Sequence, residues 1–355
     1  MDIVKIPLLT ATNINVGPIS PSTYGNCKCW YPLIAKSILK HQIQGNYSKY
    51  LIPSFSPNSY LGTIIHKLFE ERVNGSIPDE ETYCQRWEEL INSTESEIKE
   101  AYPLVSNFDL TDYDKMYTSC DSAMRLTPIS HLSDTSSRTV SKSTELKVSY
   151  DNLIYGSIDR VKRINGKVEL IDYKSGQILD ESSCIKKQYV SQLNIYAICY
   201  EKLYSETVSK LTIIHTDTLE EYNVELQRDK FNVIIHDIKN QLNYLDALVA
   251  NNTIDTCQVL NDGCGFCSYR HFCKKYMFSP NRDPYMVDGI VTQYGENGTI
   301  QMINSTGKLF SISKMKGLTA SDGSGIVGKH LIIINVSQPI EGTYKRTDHT
   351  IIFEK

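Results

Sequence analysis

Apolar residues recur with the 3.6-residue period of amphipathic helices in several segments of the first 280 residues. The pattern predicts one helix in LGTIIHKLFEERVNG (residues 61–75), where an Asn-Gly pair ends the periodicity. Further helices are predicted over residues 79–102, 186–204 and 230–252. The Ser- and Thr-rich residues 133–144 predict an exposed loop before a sheet begins.

Short runs rich in branched apolar residues predict the strands. Two are expected over residues 209–218 and 220–226, and five short ones, separated by Gly and Asn, follow residue 280. Five short strands in succession are typical of a small β-barrel, such as an OB-like barrel, or of a sandwich. We therefore expect an α/β fold with a mixed sheet flanked by helices over residues 1–279. An appended β-rich domain over residues 280–355 is expected to bind DNA or a partner.

A hairpin is predicted in GSIDRVKRINGKVELIDYKSG (residues 156–176), because Asn-Gly between two branched runs is the strongest short-range hairpin signal. Counting outward from this turn, Val161 lies opposite Leu170 and Asp159 lies opposite Asp172. Opposed Cβ atoms are about 5 Å apart, and like charges at that distance are destabilising. A cation bound between the carboxylates explains the arrangement; a solvated hairpin face without a role is the alternative.

Further polar residues fall near this carboxylate pair. Lys174 follows Asp172 by two positions, so both point to one face of the strand, about 6.7 Å apart. Magnesium is held by one or two carboxylates together with phosphate oxygens, and an ammonium beside it can orient a water molecule. Gln192 and Tyr196 are four apart on a predicted helix and share a face. Glu145 is a candidate acidic contact, with a solvated strand-edge charge as the favoured interpretation.

Composition excludes some classes of protein. Lys and Arg number 37 against 41 for Asp and Glu, and the net charge is -4, so nucleic-acid binding requires a local basic groove. No run of about 18 apolar residues occurs, and the N-terminus lacks the basic region and cleavage site of a signal peptide. We therefore expect a soluble, cytoplasmic protein that has no membrane partner.

The ten cysteines favour a metal site over disulfides in such a protein. Four of them crowd within 17 residues, at positions 257, 264, 267 and 273, and two more lie near the start, at positions 27 and 29. Thiolate ligands suit either tetrahedral zinc or a 4Fe-4S cluster. The zinc interpretation uses the four crowded cysteines. Spacing does not choose between zinc and a cluster.

The motifs, taken in order along the chain, resemble those of the RecB-like branch of the PD-(D/E)XK nuclease superfamily. The matching residues are Gly62, His66, Gly156-Ser157-Ile158-Asp159, Asp172-Tyr173-Lys174, Gln192 and Tyr196. Cys264-Gly-Phe-Cys267 with Cys273 is similar to the cysteine triplet of iron–sulfur nucleases in this branch, among them CRISPR-associated RecB-type exonucleases and AddB nuclease modules. In those proteins a lone upstream cysteine follows a Ser-x-Ser, and SPSTYGNCKCWYPL offers Cys27, with Cys29 as a rival. The resemblance covers roughly residues 18–278.

The resemblance implies roles for these residues. Asp159 and Asp172 would bind Mg²⁺ or Mn²⁺, with His66 and the Tyr173 carbonyl as further ligands. Lys174 would position the attacking water or stabilise the phosphorane. Gln192 and Tyr196 would orient Lys174 or contact DNA. A 4Fe-4S cluster would be held by four cysteines, with zinc as the lesser alternative: Cys27, Cys264, Cys267 and Cys273.

We therefore expect a metal-dependent DNA nuclease of the restriction-endonuclease-like fold. Its expected activity is exonucleolytic, on single-stranded or end-containing DNA, in repair or in CRISPR or phage defence. A helicase or another defence or repair protein is the expected partner. The alternative is a non-catalytic DNA-clamping or helicase-associated scaffold module that keeps the fold and the cluster.

Overall fold

The computed structural model of the protein describes residues 3–10, 14–53, 57–101, 109–126, 128, 144–280, 282–340 and 342–355. Its helices are α1 (Pro21–Asn26), α2 (Tyr31–Gln42), α3 (Pro57–Val73), α4 (Glu80–Ala101), α5 (Tyr113–Met124), α6 (Lys187–Tyr204), α7 (Phe231–Ala250) and α8 (Lys274–Met277). The four helices predicted from periodicity are confirmed as α3, α4, α6 and α7. The predicted loop up to residue 143 lies outside the described residues.

The strands divide into two sheets. They are β1 (Val4–Lys5), β2 (Thr144–Tyr150), β3 (Ile154–Ile164), β4 (Lys167–Lys174), β5 (Val208–His215), β6 (Glu221–Val224), β7 (Met286–Tyr294), β8 (Ile300–Ile303), β9 (Leu309–Ser313), β10 (His330–Val336) and β11 (Thr343–Glu354). The first sheet has the order β2-β3-β4-β5-β6. Only its β4–β5 pair is parallel, with α6 as the crossover between them. The predicted mixed sheet is therefore confirmed.

Helices cover both faces of this sheet because successive strand residues point to opposite sides. Leu170 and Ile213 pack in one core with α2, α6 and α7. Their neighbours Ile171 and Ile214 pack in a second core with α3, α4 and α5. The sheet is thus the central layer, and the polar ends of its strands are free to carry a site.

The Asn-Gly hairpin has the predicted register. The β3–β4 ladder pairs Val161 with Leu170 and Ile164 with Lys167. Asn165 and Gly166, the two turn residues, have φ values of 55° and 76°. Two positive φ angles are the geometry of a type I′ turn, which matches the twist of the flanking strands.

The second sheet closes into the predicted barrel. Its order is β11-β10-β7-β8-β9, and β9 pairs in parallel with β11 to complete five strands. The sequence did not predict β1, which adds to the outer edge of β11 with Val4 paired to Phe353. The barrel also packs on the rest of the chain. The Phe353 ring stacks on the His271 ring, with their centroids 4.6 Å apart and their planes at 10°. Since Met286 and Ile332 share a core with α2 and α7, the barrel and the mixed sheet form a continuous interior.

Candidate active site

The two predicted carboxylates lie opposite each other on neighbouring strands. The β3–β4 ladder pairs Arg160 with Ile171, and the same register places Asp159 across from Asp172. The backbone N–H of Tyr173 donates to Asp159 Oδ2 at 2.8 Å, and Asp172 is only 2% exposed. The fold therefore brings these carboxylates together at the end of the hairpin.

Both carboxylate oxygens of Asp172 contact other predicted site residues. Lys174 Nζ lies 2.6 Å from Asp172 Oδ2, and Gln192 Nε2 donates to Asp172 Oδ1 at 3.2 Å. The same amide donates to Tyr196 Oη at 3.4 Å. In this structure Gln192 therefore holds Asp172 directly, and it reaches Lys174 only through that carboxylate.

Glycine allows the helix that carries Gln192 to lie over the carboxylates. A Cβ atom at Gly156 would be 2.9 Å from the Tyr196 ring and 2.9 Å from Pro21 Cδ. Both distances are shorter than side chains tolerate, so α1 and α6 can approach β3 this closely only where the residue has no side chain. The small residue in the Gly-x-x-Asp motif is thus explained by packing.

His66 approaches the pair from α3. Its Nδ1 atom is 3.7 Å from Asp159 Oδ2, and its ring meets the Tyr173 ring edge-on with centroids 6.5 Å apart. Burial lowers the pKa of His66, so the imidazole is neutral near pH 7. Neutral imidazole is the form that binds metal ions.

Two carboxylates and one ammonium lie together in the site, and burial acts on their pKa values. Burial, and then the negative charge of Asp172, raise the pKa of Asp159 to about 8. For Lys174, burial acts to lower the pKa, but the Asp172 carboxylate outweighs it and the pKa is raised. A second cation beside the pair would let both carboxylates stay ionised at neutral pH.

Glu145, which the sequence analysis favoured as a solvated strand-edge charge, is exposed: its side chain is 58% accessible, and its carboxylate lies 4.0 Å from Lys147 Nζ. The β2–β3 ladder is in register on both sides of Glu145 and places it across from Asp159. Glu145, Asp159 and Asp172 thus occupy adjacent positions on three neighbouring strands. The backbone of Glu145 has a φ of 47°, a costly conformation that is concentrated at functional sites. Continuing the count of cross-strand pairs from the hairpin to β2 would have predicted that Glu145 lies opposite Asp159.

The donor atoms of this site suit a hard divalent cation. Two carboxylates and the Tyr173 carbonyl are oxygen ligands of the kind that Mg²⁺ and Mn²⁺ prefer. In the part of the chain that the structure describes, no three acidic, histidine or cysteine side chains are already grouped at metal-binding distances. In this structure the Lys174 ammonium lies 2.6 Å from Asp172 Oδ2.

The predicted cysteine ligands line one cavity of about 420 Å³. The cysteines in its wall are Cys27, Cys29, Cys264, Cys267 and Cys273. Cys257 is not among them: it is buried, and its thiol donates to the Ile254 carbonyl at 3.1 Å. Burial raises the pKa of Cys257 to about 12, and it likewise raises the pKa values of Cys27 and Cys267 to about 11. The cavity wall therefore includes the four cysteines of the cluster interpretation and not Cys257, while no three of the described cysteines are grouped closely enough to hold a metal ion.

Cys29 makes hydrogen bonds with the segment that carries the triplet. The Val259 N–H donates to Cys29 Sγ at 3.4 Å, and the Asn261 N–H donates to Cys264 Sγ at 3.3 Å. Hydrogen bonds of this kind stabilise thiolates and tune iron–sulfur clusters. Cys29 and Cys264 thus accept hydrogen bonds from backbone N–H groups of the same short segment, residues 259–261.

Comparison with known proteins identifies the family. No curated protein matches the chain. In the described residues no helix is long and apolar enough to cross a bilayer. A model of the PD-(D/E)XK nuclease superfamily matches residues 23–274, more than half of the chain, and includes the carboxylate pair, Lys174 and Gln192. The chain therefore belongs to the PD-(D/E)XK nuclease superfamily.

Proposed function

We propose that this superfamily member is a RecB-like DNA exonuclease that acts in the cytoplasm on single-stranded or end-containing DNA. The superfamily consists of nucleases that usually depend on Mg²⁺ or Mn²⁺. The observation that carries the proposal is the contact of Lys174 with Asp172, opposite Asp159. A chain that had lost catalysis and only clamped DNA or supported a helicase would have no need for this opposed arrangement.

The residues of the site divide the work of phosphodiester hydrolysis. Asp159, Asp172 and the Tyr173 carbonyl would hold the divalent cation, with His66 at its side. When bound, that ion supplies an activated water and compensates charge on the leaving oxygen. The Lys174 ammonium orients the water or a phosphate oxygen, and it neutralises charge that develops on the phosphorane. Gln192 fixes the Asp172 carboxylate.

The cysteine cavity supports a structural 4Fe-4S cluster in this proposal. Cys264, Cys267 and Cys273 supply three thiolates, and the Cys27–Cys29 pair supplies the fourth. The resemblance implies that this ligand is Cys27. The hydrogen bond from the Val259 N–H to the Cys29 sulfur supports Cys29 instead. Tetrahedral zinc is the lesser alternative, because thiolates suit both.

The cluster is tested on protein isolated without air. We expect brown protein with about four irons per chain and a broad absorption band at about 400 nm. Cys29→Ala should lose the colour, and Cys257→Ala, the matched control, should keep it. Loss of colour in Cys27→Ala alone would return the fourth ligand to Cys27. Colourless protein with stoichiometric zinc would contradict the cluster.

The barrel is proposed to bind a protein partner, such as a helicase, in preference to single-stranded DNA. Single strands are held by aromatic side chains on which bases stack. On β9, Phe310 packs edge-on against Tyr344, and the alternate positions Leu309, Ser311 and Ser313 point away from the barrel core. Leu309 is 63% exposed. An apolar and hydroxyl surface of this kind fits a protein better than a row of bases.

Cleavage is tested with end-labelled linear DNA and with circular single strands, in Mg²⁺, Mn²⁺ or EDTA. An exonuclease should release short products from linear DNA with either metal and leave circles intact. Lys174→Ala should be inactive and still bind DNA, since phosphate contacts come mainly from other basic and backbone groups. Cleaved circles would replace the exonuclease with an endonuclease, and an inactive metal-loaded protein would favour the scaffold role.

A further inference from the structure

Tyr189 contacts the predicted catalytic lysine, and no motif of the sequence includes it. The Lys174 Nζ atom lies 5.2 Å from the centroid of the Tyr189 ring. Lys174 is thus enclosed on two sides, by this ring and by the Asp172 carboxylate at 2.6 Å. A cation over an aromatic face within about 6 Å is attracted by the ring quadrupole.

Tyr189 belongs to one stripe of α6 with the two motif residues. Tyr189, Gln192 and Tyr196 are spaced by three and four residues, so they share a face of the helix. Along this stripe Gln192 contacts Asp172, and Tyr196 contacts the backbone at Gly156. Tyr189, in the first turn, reaches Lys174 at the end of β4. Helix α6 therefore approaches Lys174, Asp172 and Gly156 with one side chain each.

The ring becomes more important when a cation is bound. A divalent ion that takes an Asp172 oxygen weakens the pair between Asp172 and Lys174, because it competes for the carboxylate and repels the ammonium. Among the described residues, Asp159 and His66 also interact electrostatically with Lys174. Both of these face the metal position. The Tyr189 ring is then the contact that keeps the ammonium in place.

We propose that Tyr189 is a positioning residue that holds the Lys174 ammonium through its ring face while the metal occupies the carboxylates. The proposal rests on the proposed function, in which Lys174 acts in cleavage. The phenol hydroxyl has no part in it, so a phenyl ring suffices. Removal of the ring frees the ammonium to move away from the water and the phosphate.

Tyr189→Leu and Tyr189→Phe separate the ring from the hydroxyl, and Tyr244→Leu, at a half-exposed tyrosine on α7, is the control. The Leu variant should lose about 5- to 30-fold in kcat, with the KM for DNA and the thermal shift by Mn²⁺ unchanged. The Phe variant and the control should match the wild type.

A second readout does not depend on cleavage. Acetylation of Lys174 by a water-soluble ester at saturating Mn²⁺, followed by peptide mass spectrometry, should be faster in Tyr189→Leu and unchanged in Tyr189→Phe. If the Leu variant does not fold, Tyr189→Met replaces it. A Phe variant as impaired as Leu, or a Leu variant with wild-type labelling and kcat, would overturn the proposal. Wild-type protein that is labelled as expected but cuts no DNA would refute the proposed function and leave the ammonium contact standing.

Discussion

Two isosteric substitutions in the carboxylate pair are predicted to change stability in opposite directions when no metal is present. Asp159→Asn removes a charge that burial and Asp172 disfavour, and its amide oxygen can still accept the Tyr173 N–H. Asp172→Asn instead removes the partner of the Lys174 ammonium. The first variant should therefore be more stable than the wild type, and the second should be less stable.

The gain from Asp159→Asn depends on pH. The pKa of Asp159 is about 8 in the folded protein, against about 3.9 in an unfolded chain. Between these values the folded state holds a proton that the unfolded state has released, so the free energy of unfolding of the wild type falls as pH rises. The slope is at most about 1.4 kcal/mol per pH unit. Between pH 5 and pH 8 the advantage of Asp159→Asn should grow by about 1–4 kcal/mol.

The loss from Asp172→Asn follows from burial. Asp172 and Lys174 have side chains that are 3% and 17% exposed, and removal of one partner from a buried pair costs about 3–5 kcal/mol. Relief of the repulsion with Asp159 returns only about 0.2–1 kcal/mol. The net effect is destabilising by about 2–5 kcal/mol. From the opposed aspartates alone, the sequence would suggest the contrary sign for this variant.

Urea unfolding in EDTA at pH 5, 6, 7 and 8 measures both effects, and a repeat at saturating Mn²⁺ tests the role of the cation. In Mn²⁺ the decline of wild-type stability with pH should shrink, because the ion favours ionised Asp159. Both variants should lose cleavage by several orders of magnitude. A pH-independent difference between Asp159→Asn and the wild type, or a common direction of change for both variants at pH 8, would refute the electrostatic reasoning.

Two further predictions concern the neighbouring strand and the barrel. Glu145→Gln should weaken Mn²⁺ binding about tenfold by calorimetry, because outer contacts to metal ligands contribute about 10- to 100-fold. Lys147→Gln should change the affinity little, and a strengthening of similar size in that variant would mark a general surface charge. Truncation after residue 280 should lower the thermal midpoint measured by calorimetry, because it strips Phe353 from His271 and opens the shared core. An unchanged midpoint would show that the barrel is an independent unit.

The register of the site hairpin could be predicted from the sequence because a two-residue turn leaves no freedom in the count. Once Asn165 and Gly166 adopt positive φ angles, every cross-strand pair follows, including the position of Asp159 opposite Asp172. The choice of partner for each oxygen could not be predicted. Whether Gln192 reaches Asp172 or Lys174 depends on side-chain rotamers and on how closely α6 approaches β3, and neither is encoded in spacing.

Short segments escaped prediction for a different reason. The two residues of β1 are too few to show an alternating pattern, and they form a strand only because the edge of β11 offers unpaired backbone groups. The choice between Cys27 and Cys29 is similar, since the two differ by a single intervening residue. Two contacts of Cys29 with a segment some 230 residues away distinguish them: the Val259 N–H donates to its sulfur, and its thiol donates to the Cys257 carbonyl.

Helix α1 connects the cysteine cavity to the carboxylates. Cys27 directly follows α1, and α1 packs on α6 so closely that a Cβ atom at Gly25 would lie 2.6 Å from the Gln188 carbonyl. Gln188 is the residue before Tyr189, on the helix that also carries Gln192. A cluster bound by the residues after α1 would therefore fix α1, and through it the first turn of α6, against β3 and β4. Loss of the cluster should accordingly weaken cleavage by loosening the helix that holds Asp172 and Lys174.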